Sequence, residues 1–203
     1  MKSRPTRNGR FDAMSDQSVS ILTKKDWRSA LLARRKRYVT SEKVCQKLSS
    51  RLIHELSVIG PHSVGAYWPI RSEPNVMQAL LDWVRVEGGE IYLPETLEFE
   101  MVYRLWKPEG RLLKDRAGIC FPDGPVASSP PQVILAPCVG YSEAGRRLGY
   151  GGGYFDRYLA TCGNAKPLVI GVAYEALIVP ESVFETHDAV LDLIVTESRT
   201  IGR

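Results

Sequence analysis

Cysteine and histidine are scarce in this chain, with four Cys and three His among 203 residues. Cys45, Cys120, Cys138 and Cys162 form no CxxC pair, and no Cys/His spacing matches a zinc site. A secreted disulfide framework would pair its cysteines, so the expectation is reduced thiols in a cytoplasmic protein. Long apolar runs are missing too: none approaches the roughly 20 residues that span a bilayer, and no membrane partner is expected. The first twenty residues are polar and lack the apolar stretch of a signal peptide, while Asp12 and Asp16 speak against a transit peptide. Residues 1–21 read as a disordered leader and 22–203 as one domain. No internal repeat is visible. With 44% hydrophobic and 25% charged residues, the chain can bury a core without staples. A disulfide mini-protein, a collagen-like chain and a fully disordered one are excluded.

Charge is present but unevenly spread. Residues 1–37 carry a net charge of +8 and the rest a net −4. A basic end on an acidic body suits an anionic partner, whether nucleotide phosphate, a polyanionic metabolite or RNA. Lys25, Arg34, Arg35, Lys36 and Arg37 read as a solvated helix face, with Arg34 nearest to a phosphate. Nothing resembles the aromatic-rich strand surface of an RNA-binding module, so no nucleic-acid partner is expected.

The pattern of apolar residues gives the elements. Thr23 with Asp26 forms a capping box for a basic helix running to about Tyr38. Thr40 or Ser41 then caps a second helix with Val44, Leu48, Leu52 and Leu56 on one face. Residues 64–68 read as a strand ending at Pro69. Ser72-Glu73-Pro74 reads as the opening of a helix with Val76, Leu80 and Val84 as its buried stripe, ended by Gly88-Gly89. Strands follow at 90–93 and 101–105, and residues 106–131 read mostly as loop. The continuous apolar runs 133–136, 169–173 and 191–195 suit strands buried on both faces. Strands alternating with helices predict an α/β fold, a single-domain sandwich of helices around a mostly parallel sheet.

The most informative segment is the glycine-rich run 145–157, which follows the strand at 133–136 and precedes a helix over about 154–161. A glycine turn at a strand end lets backbone N–H groups approach an anion, and the helix N-terminus adds partial positive charge. Arg146 and Arg147 offer guanidinium forks for phosphate, and Asp156 is a carboxylate suited to Mg²⁺. The two common phosphate fingerprints fail. No Lys follows the glycines as a P-loop requires, and Tyr154 stands where a dinucleotide loop needs its third glycine.

The run from Arg147 to Arg157 (Arg-Leu-Gly-Tyr-Gly-Gly-Gly-Tyr-Phe-Asp-Arg) resembles the signature of the 5-formyltetrahydrofolate cyclo-ligase family, also called methenyltetrahydrofolate synthetases. The resemblance extends over about residues 23–197. It includes Lys24 and Arg28, the Tyr67-Trp68-Pro69 strand end with Glu73, and His187-Asp188. It implies ATP-dependent cyclisation of 5-formyltetrahydrofolate to 5,10-methenyltetrahydrofolate on a fold like that of the sugar-phosphate isomerase and CoA-transferase group. Lys24, Lys25 and Arg28 would contact ATP phosphates, and Arg147, Leu148, Gly149, Tyr150, Gly151, Gly152, Gly153, Tyr154 and Phe155 would wrap the triphosphate. Arg28, Trp68, Glu73 and residues 150–154 would line the folate site. Arg147, Tyr154 and Asp156 would serve catalysis, and Asp156 and Asp188 would hold Mg²⁺. The protein is expected to act as a monomer.

The sequence departs from the family pattern at Gly152, where some members carry Lys, and at Phe155, in place of a second Tyr. Phe121 stands where Glu is common and Leu177 near a common Gln. These departures motivate an alternative, a paralogue or folate-binding regulator without turnover.

Overall fold

The computed structural model describes residues 22–38, 42–185, 188 and 190–202. The expected leader, the Thr40/Ser41 cap and His187 lie outside the described residues. In chain order the elements are α1 (Lys24–Tyr38), α2 (Glu42–Ile59), β1 (Ser63–Gly65), α3 (Met77–Glu87), β2 (Glu90–Thr96), β3 (Met101–Trp106), β4 (Leu112–Lys114), β5 (Cys120–Pro122), β6 (Val133–Pro137), β7 (Gly140–Tyr141), β8 (Arg147–Leu148), α4 (Tyr154–Thr161), β9 (Leu168–Val172), β10 (Leu193–Val195) and β11 (Thr200–Gly202).

The capping box at the start of α1 forms as its residues dictate. The Asp26 amide donates to Thr23 Oγ1 at 3.2 Å and the Thr23 amide returns a bond to Asp26 Oδ2 at 2.9 Å. On α2, Leu48, Leu52 and Leu56 recur every four residues and are fully buried, as their spacing requires. Gly88 ends α3 in the left-handed region at φ 76°, the conformation a residue with a Cβ resists.

The sheet has seven strands in the order β11-β10-β9-β6-β1-β2-β3. The five central strands run parallel, and β3 and β11 pair antiparallel at the edges. All five residues of β6 are buried, which accounts for its unbroken apolar run. Helices α2 and α3 pack on each other and reach β10 and β2; α4 lies on β3. Among the described residues no helix is long and apolar enough to cross a membrane.

Two expectations are corrected. The loop 106–131 contains a hairpin, β4 paired with β5, whose three-residue strands are too short to show a period. Helix α3 begins at Met77 rather than near Ser72. Arg71 and Ser72 have φ of 46° and 64°, so the chain turns there and cannot continue into a helix before Val76. Its buried stripe is Met77, Leu80 and Trp83, with Val84 half-buried.

Strand order creates the site. From β1 the chain moves outward to β2 and β3, then crosses to β6 on the other side of β1. The carboxyl ends of β1 and β6 therefore flank the point where the order reverses, the place where α/β sheets open a crevice.

Candidate active site

A cavity of about 450 Å³ opens at this switch point, bounded by Tyr67 and Trp68 beyond β1 and by Pro137 at the end of β6. One wall is the turn 70–73. The Glu73 amide donates to the Ile70 carbonyl at 2.9 Å, and the Ile70 amide donates to Glu73 Oε2 at 2.8 Å. The Tyr67 hydroxyl donates to the Pro74 carbonyl at 2.7 Å and holds the exit of the turn. Glu73, only 5% exposed, is thereby placed as a buried carboxylate lining the cavity rather than as a helix-start charge. Burial raises its carboxyl above 4.5 despite the hydrogen bonds and guanidinium charges that pull it down.

The opposite wall is the glycine-rich segment. The hairpin of β7 and β8 delivers Arg147, and every residue from 147 to 156 lines the cavity. Gly151 and Gly153 have φ of 94° and 67°, so the chain doubles back and α4 begins at once with Tyr154. This leaves the first amides of α4 beside the cavity. Arg28 Nε donates to the Gly149 carbonyl at 2.8 Å, tying α1 to the loop. Arg147 is nearly enclosed, its side chain 11% exposed. Its guanidinium lies 5.0 Å from the Phe155 ring centre and donates to Asp156 Oδ1 at 3.1 Å. Phe155 thus keeps the ring that a tyrosine would offer. Arg157 stacks on Tyr154 at 4.7 Å.

The third side is electrostatic. Lys24 Nζ donates to Asp188 Oδ2 at 2.7 Å and lies 3.1 Å from Glu185 Oε1. Burial alone would lower the amine, but these two acidic partners leave it above its ordinary value, so it stays charged. Among the described residues no three His, Cys, Asp or Glu side chains converge on a ready-made metal cage. Asp156 and Asp188 both line the cavity, each facing a cationic side chain. Two carboxylates, with phosphate oxygens and water completing the shell, suit a Mg²⁺ that arrives on a nucleotide.

The structure thus gathers Lys24, Arg28, Trp68, Glu73, residues 147–156 and Asp188 around one cavity. Lys25 is exposed on α1 and does not line it. Arg146, expected to offer a fork to phosphate, instead donates to the carbonyls of Glu185 at 3.0 Å and Asp188 at 2.6 Å and pairs with Glu181 at 2.6 Å. It pins the segment that carries Asp188. Arg35, expected on a solvated face, is fully buried. Its guanidinium donates to the Arg71 carbonyl, to the Cys138 carbonyl and to the Tyr150 hydroxyl. Arg34, expected nearest to phosphate, is exposed and lies outside the cavity lining. Arg71 lines the cavity and was not singled out from the sequence; its positive φ leaves no local signal.

Two of the sequence departures fall away from the cavity. Leu177 is fully buried in the core, and Phe121 packs beneath the Arg104 guanidinium at 6.0 Å. Neither lines the cavity.

An α/β sheet with a crevice at its switch point, closed by a glycine-rich loop and cationic side chains, defines a class of enzyme built to handle phosphate. Within that class the chain belongs to the 5-formyltetrahydrofolate cyclo-ligase family, whose sequence model matches residues 21–197. It is 27% identical over 179 residues to the 5-formyltetrahydrofolate cyclo-ligase of Escherichia coli strain K12, covering 83% of this chain and 98% of that one. It is 29% identical over 153 residues to the enzyme of the same name from Mycolicibacterium smegmatis, covering 70% and 77%. The solution structure of Aquifex aeolicus 5,10-methenyltetrahydrofolate synthetase superposes with a TM-score of 0.70 at 28% identity, covering 88% of this chain and 92% of that one. The Mycoplasma pneumoniae 5,10-methenyltetrahydrofolate synthetase shares the fold with a TM-score of 0.68 at 24% identity, over 87% of this chain and 99% of that one.

Proposed function

We propose that this chain converts 5-formyltetrahydrofolate to 5,10-methenyltetrahydrofolate at the expense of ATP, releasing ADP and phosphate. The observation that carries this reading is the pairing of two unlike walls in one cavity. A cation- and amide-rich loop stands on one side, and the buried carboxylate Glu73 with the Trp68 ring on the other. The first wall suits a triphosphate and the second a planar pterin with N–H donors. Family membership and the relatives' names support the same reaction.

A formyl oxygen on nitrogen is a poor leaving group. Its attack on the γ-phosphorus forms an O–P bond and expels ADP. N10 then bonds to the activated formyl carbon and loses its proton, and the C–O bond breaks to release phosphate. Little covalent chemistry falls to the protein; its work is alignment and charge neutralisation. Lys24 and Arg28 from α1 and the amides of residues 149–154 hold the triphosphate. Arg147 faces the transferring phosphoryl group, and Asp156 holds that guanidinium in place. Tyr154, at the first turn of α4, closes over the reacting centre. Glu73 accepts pterin N–H groups, and Trp68 supplies an aromatic wall. Asp156 and Asp188 would hold a Mg²⁺ arriving with the nucleotide, which would supply charge neutralisation at the phosphates. Lys24 and Arg28 are the two basic residues of the N-terminal helix that line the cavity, and no nucleic acid is needed to give them a role. We place the protein in the cytoplasm as a monomer.

The test is stoichiometry. ADP release should depend on 5-formyltetrahydrofolate and match methenyl product one for one, and chelation of Mg²⁺ should stop both. ADP release indifferent to the folate would refute the assignment.

A further inference from the structure

Arg35 is the least expected feature of the molecule, a fully buried guanidinium in the last turn of a basic helix. An arginine buried without partners would be prohibitively costly, so its partners define its purpose. Nε and Nη2 donate to the Arg71 carbonyl at 3.2 and 2.9 Å, and Nη1 reaches the Cys138 carbonyl at 3.4 Å. Nη2 also meets the Tyr150 hydroxyl, and that hydroxyl lies 2.8 Å from Glu73 Oε1. The guanidinium groups of Arg35 and Arg71 both lie 5.6 Å from the Tyr150 ring centre.

The direction of the chain of bonds follows from its first member. A guanidinium has only donors, so Tyr150 must accept from Arg35. Its single hydroxyl proton is then left for Glu73. Because the Ile70 amide donates to Oε2, both carboxylate oxygens are acceptors, and Glu73 is held in one orientation. We infer that Arg35 is a positioning residue that aims the Tyr150 hydroxyl at Glu73, so that the nucleotide-facing loop and the folate-facing carboxylate are set by one buried guanidinium. The inference rests on the proposed role of Glu73 in holding the folate. It also gives Tyr150 a role of its own. The hydroxyl is pushed up to about 12 by burial and by the neighbouring Glu73 charge, so it stays protonated and relays orientation without giving up its proton.

The groups facing Glu73 are Arg35 from α1, Arg71 from its own turn, Tyr150 from the glycine-rich loop, Tyr67 after β1 and Cys138 after β6. Burial holds the Tyr67 hydroxyl and the Cys138 thiol neutral through the range where carboxylates titrate. Of these groups only Arg35 and Tyr150 belong to the relay, and their loss should raise the Glu73 carboxyl further.

The experiment is a carbon-13 titration of the Glu73 carboxyl in the full chain, assigned by the signal that Glu73→Gln removes. In Arg35→Lys and in Tyr150→Phe the midpoint should rise by about half a pH unit or more. The acid limb of kcat/KM for 5-formyltetrahydrofolate should move with it. A folded Arg35→Lys whose Glu73 midpoint stays in place would overturn the inference, whatever its melting temperature. If Arg35→Lys does not fold, the Arg35 guanidinium is observed in the wild-type chain by nitrogen-15 resonance. Separate, slowly exchanging Nη signals that shift in Tyr150→Phe support the relay; freely rotating signals unmoved by that change overturn it. The titration needs no turnover, so an inactive wild type would refute the cyclo-ligase reading alone. An active enzyme with an unmoved midpoint would refute the relay alone.

Discussion

Arg28 and Gly149 are 121 residues apart in the chain, and the Arg28 guanidinium donates through Nε to the Gly149 carbonyl at 2.8 Å. The Nε bond fixes the loop, and the rest of the planar fork stays beside Gly151, whose position for a Cβ lies 3.4 Å from the guanidinium carbon. A helix near the start of the chain is thereby fastened to the loop that shapes the site. Arg28→Ala should raise the KM for ATP about tenfold or more, about 1.4 kcal/mol. Arg28→Lys should recover little, because a lysine amine cannot both bond the carbonyl and present a fork. Steady-state kinetics with varied ATP at saturating folate decides this, and an unchanged KM for ATP in both variants contradicts it.

Arg147 and Asp156 form the pair that the proposed mechanism sets beside the transferring phosphoryl group. Each alanine variant should lose at least about tenfold in turnover, about 1.4 kcal/mol. Their stabilities should differ. Arg147 is nearly enclosed and rests on Phe155, so its truncation should also lower the melting temperature, whereas Asp156 is 62% exposed and its truncation should not. Calorimetry alongside kinetics separates the two effects. Near-normal turnover in both variants would remove this pair from the mechanism.

Glu73 gives the account a pH signature with a definite sign. Burial raises its carboxyl above 4.5, so the folded chain holds this proton more tightly than the unfolded chain. Its contribution to stability is therefore present below 4.5 and is lost as pH rises through the folded value. Measured by denaturant melts, the stability of the wild type relative to Glu73→Gln should fall across that window and level off above it. In the proposed mechanism activity runs the other way, because the ionised form would accept the pterin N–H groups. The acid limb of kcat/KM for 5-formyltetrahydrofolate should lie above 4.5 and vanish in Glu73→Gln. A relative stability that rises with pH in this window would contradict the burial argument.

Local signals were legible in the sequence and convergent ones were not. The Thr23–Asp26 capping box and the Leu48-Leu52-Leu56 stripe depend on residues three or four apart, and they form as read. The parallel sheet followed from strands alternating with helices and from unbroken runs such as 133–136, and the glycine segment from its own composition and its family signature. Arg35 was misread because its burial needs acceptors at Arg71, Cys138 and Tyr150, which no local pattern connects. Arg146 was misread for the same reason, its partners lying near residue 185. The supposed helix start at Ser72 failed on backbone geometry: proline suits a first turn, but positive φ at Arg71 and Ser72 makes this segment a turn. That turn is what buries Glu73.

The glycine loop makes a prediction independent of charge. Gly151 has φ of 94°, a conformation that costs a residue with a Cβ about 1–3 kcal/mol. Gly151→Ala should relieve that strain by moving the loop, raising the KM for ATP several-fold with only a small change in melting temperature. Gly60, at φ 66° with open space around it and outside the cavity, is the control: Gly60→Ala should cost stability without changing kinetics. Equal kinetic effects in the two variants would count against a nucleotide role for the loop.

The most direct test of the whole account is the near-ultraviolet absorbance of the methenyl product when the purified chain is mixed with Mg²⁺, ATP and 5-formyltetrahydrofolate. Many turnovers per protein molecule are expected, ceasing when ATP is omitted or Mg²⁺ is chelated. A folded protein that binds ATP and 5-formyltetrahydrofolate yet produces no absorbance change would contradict it.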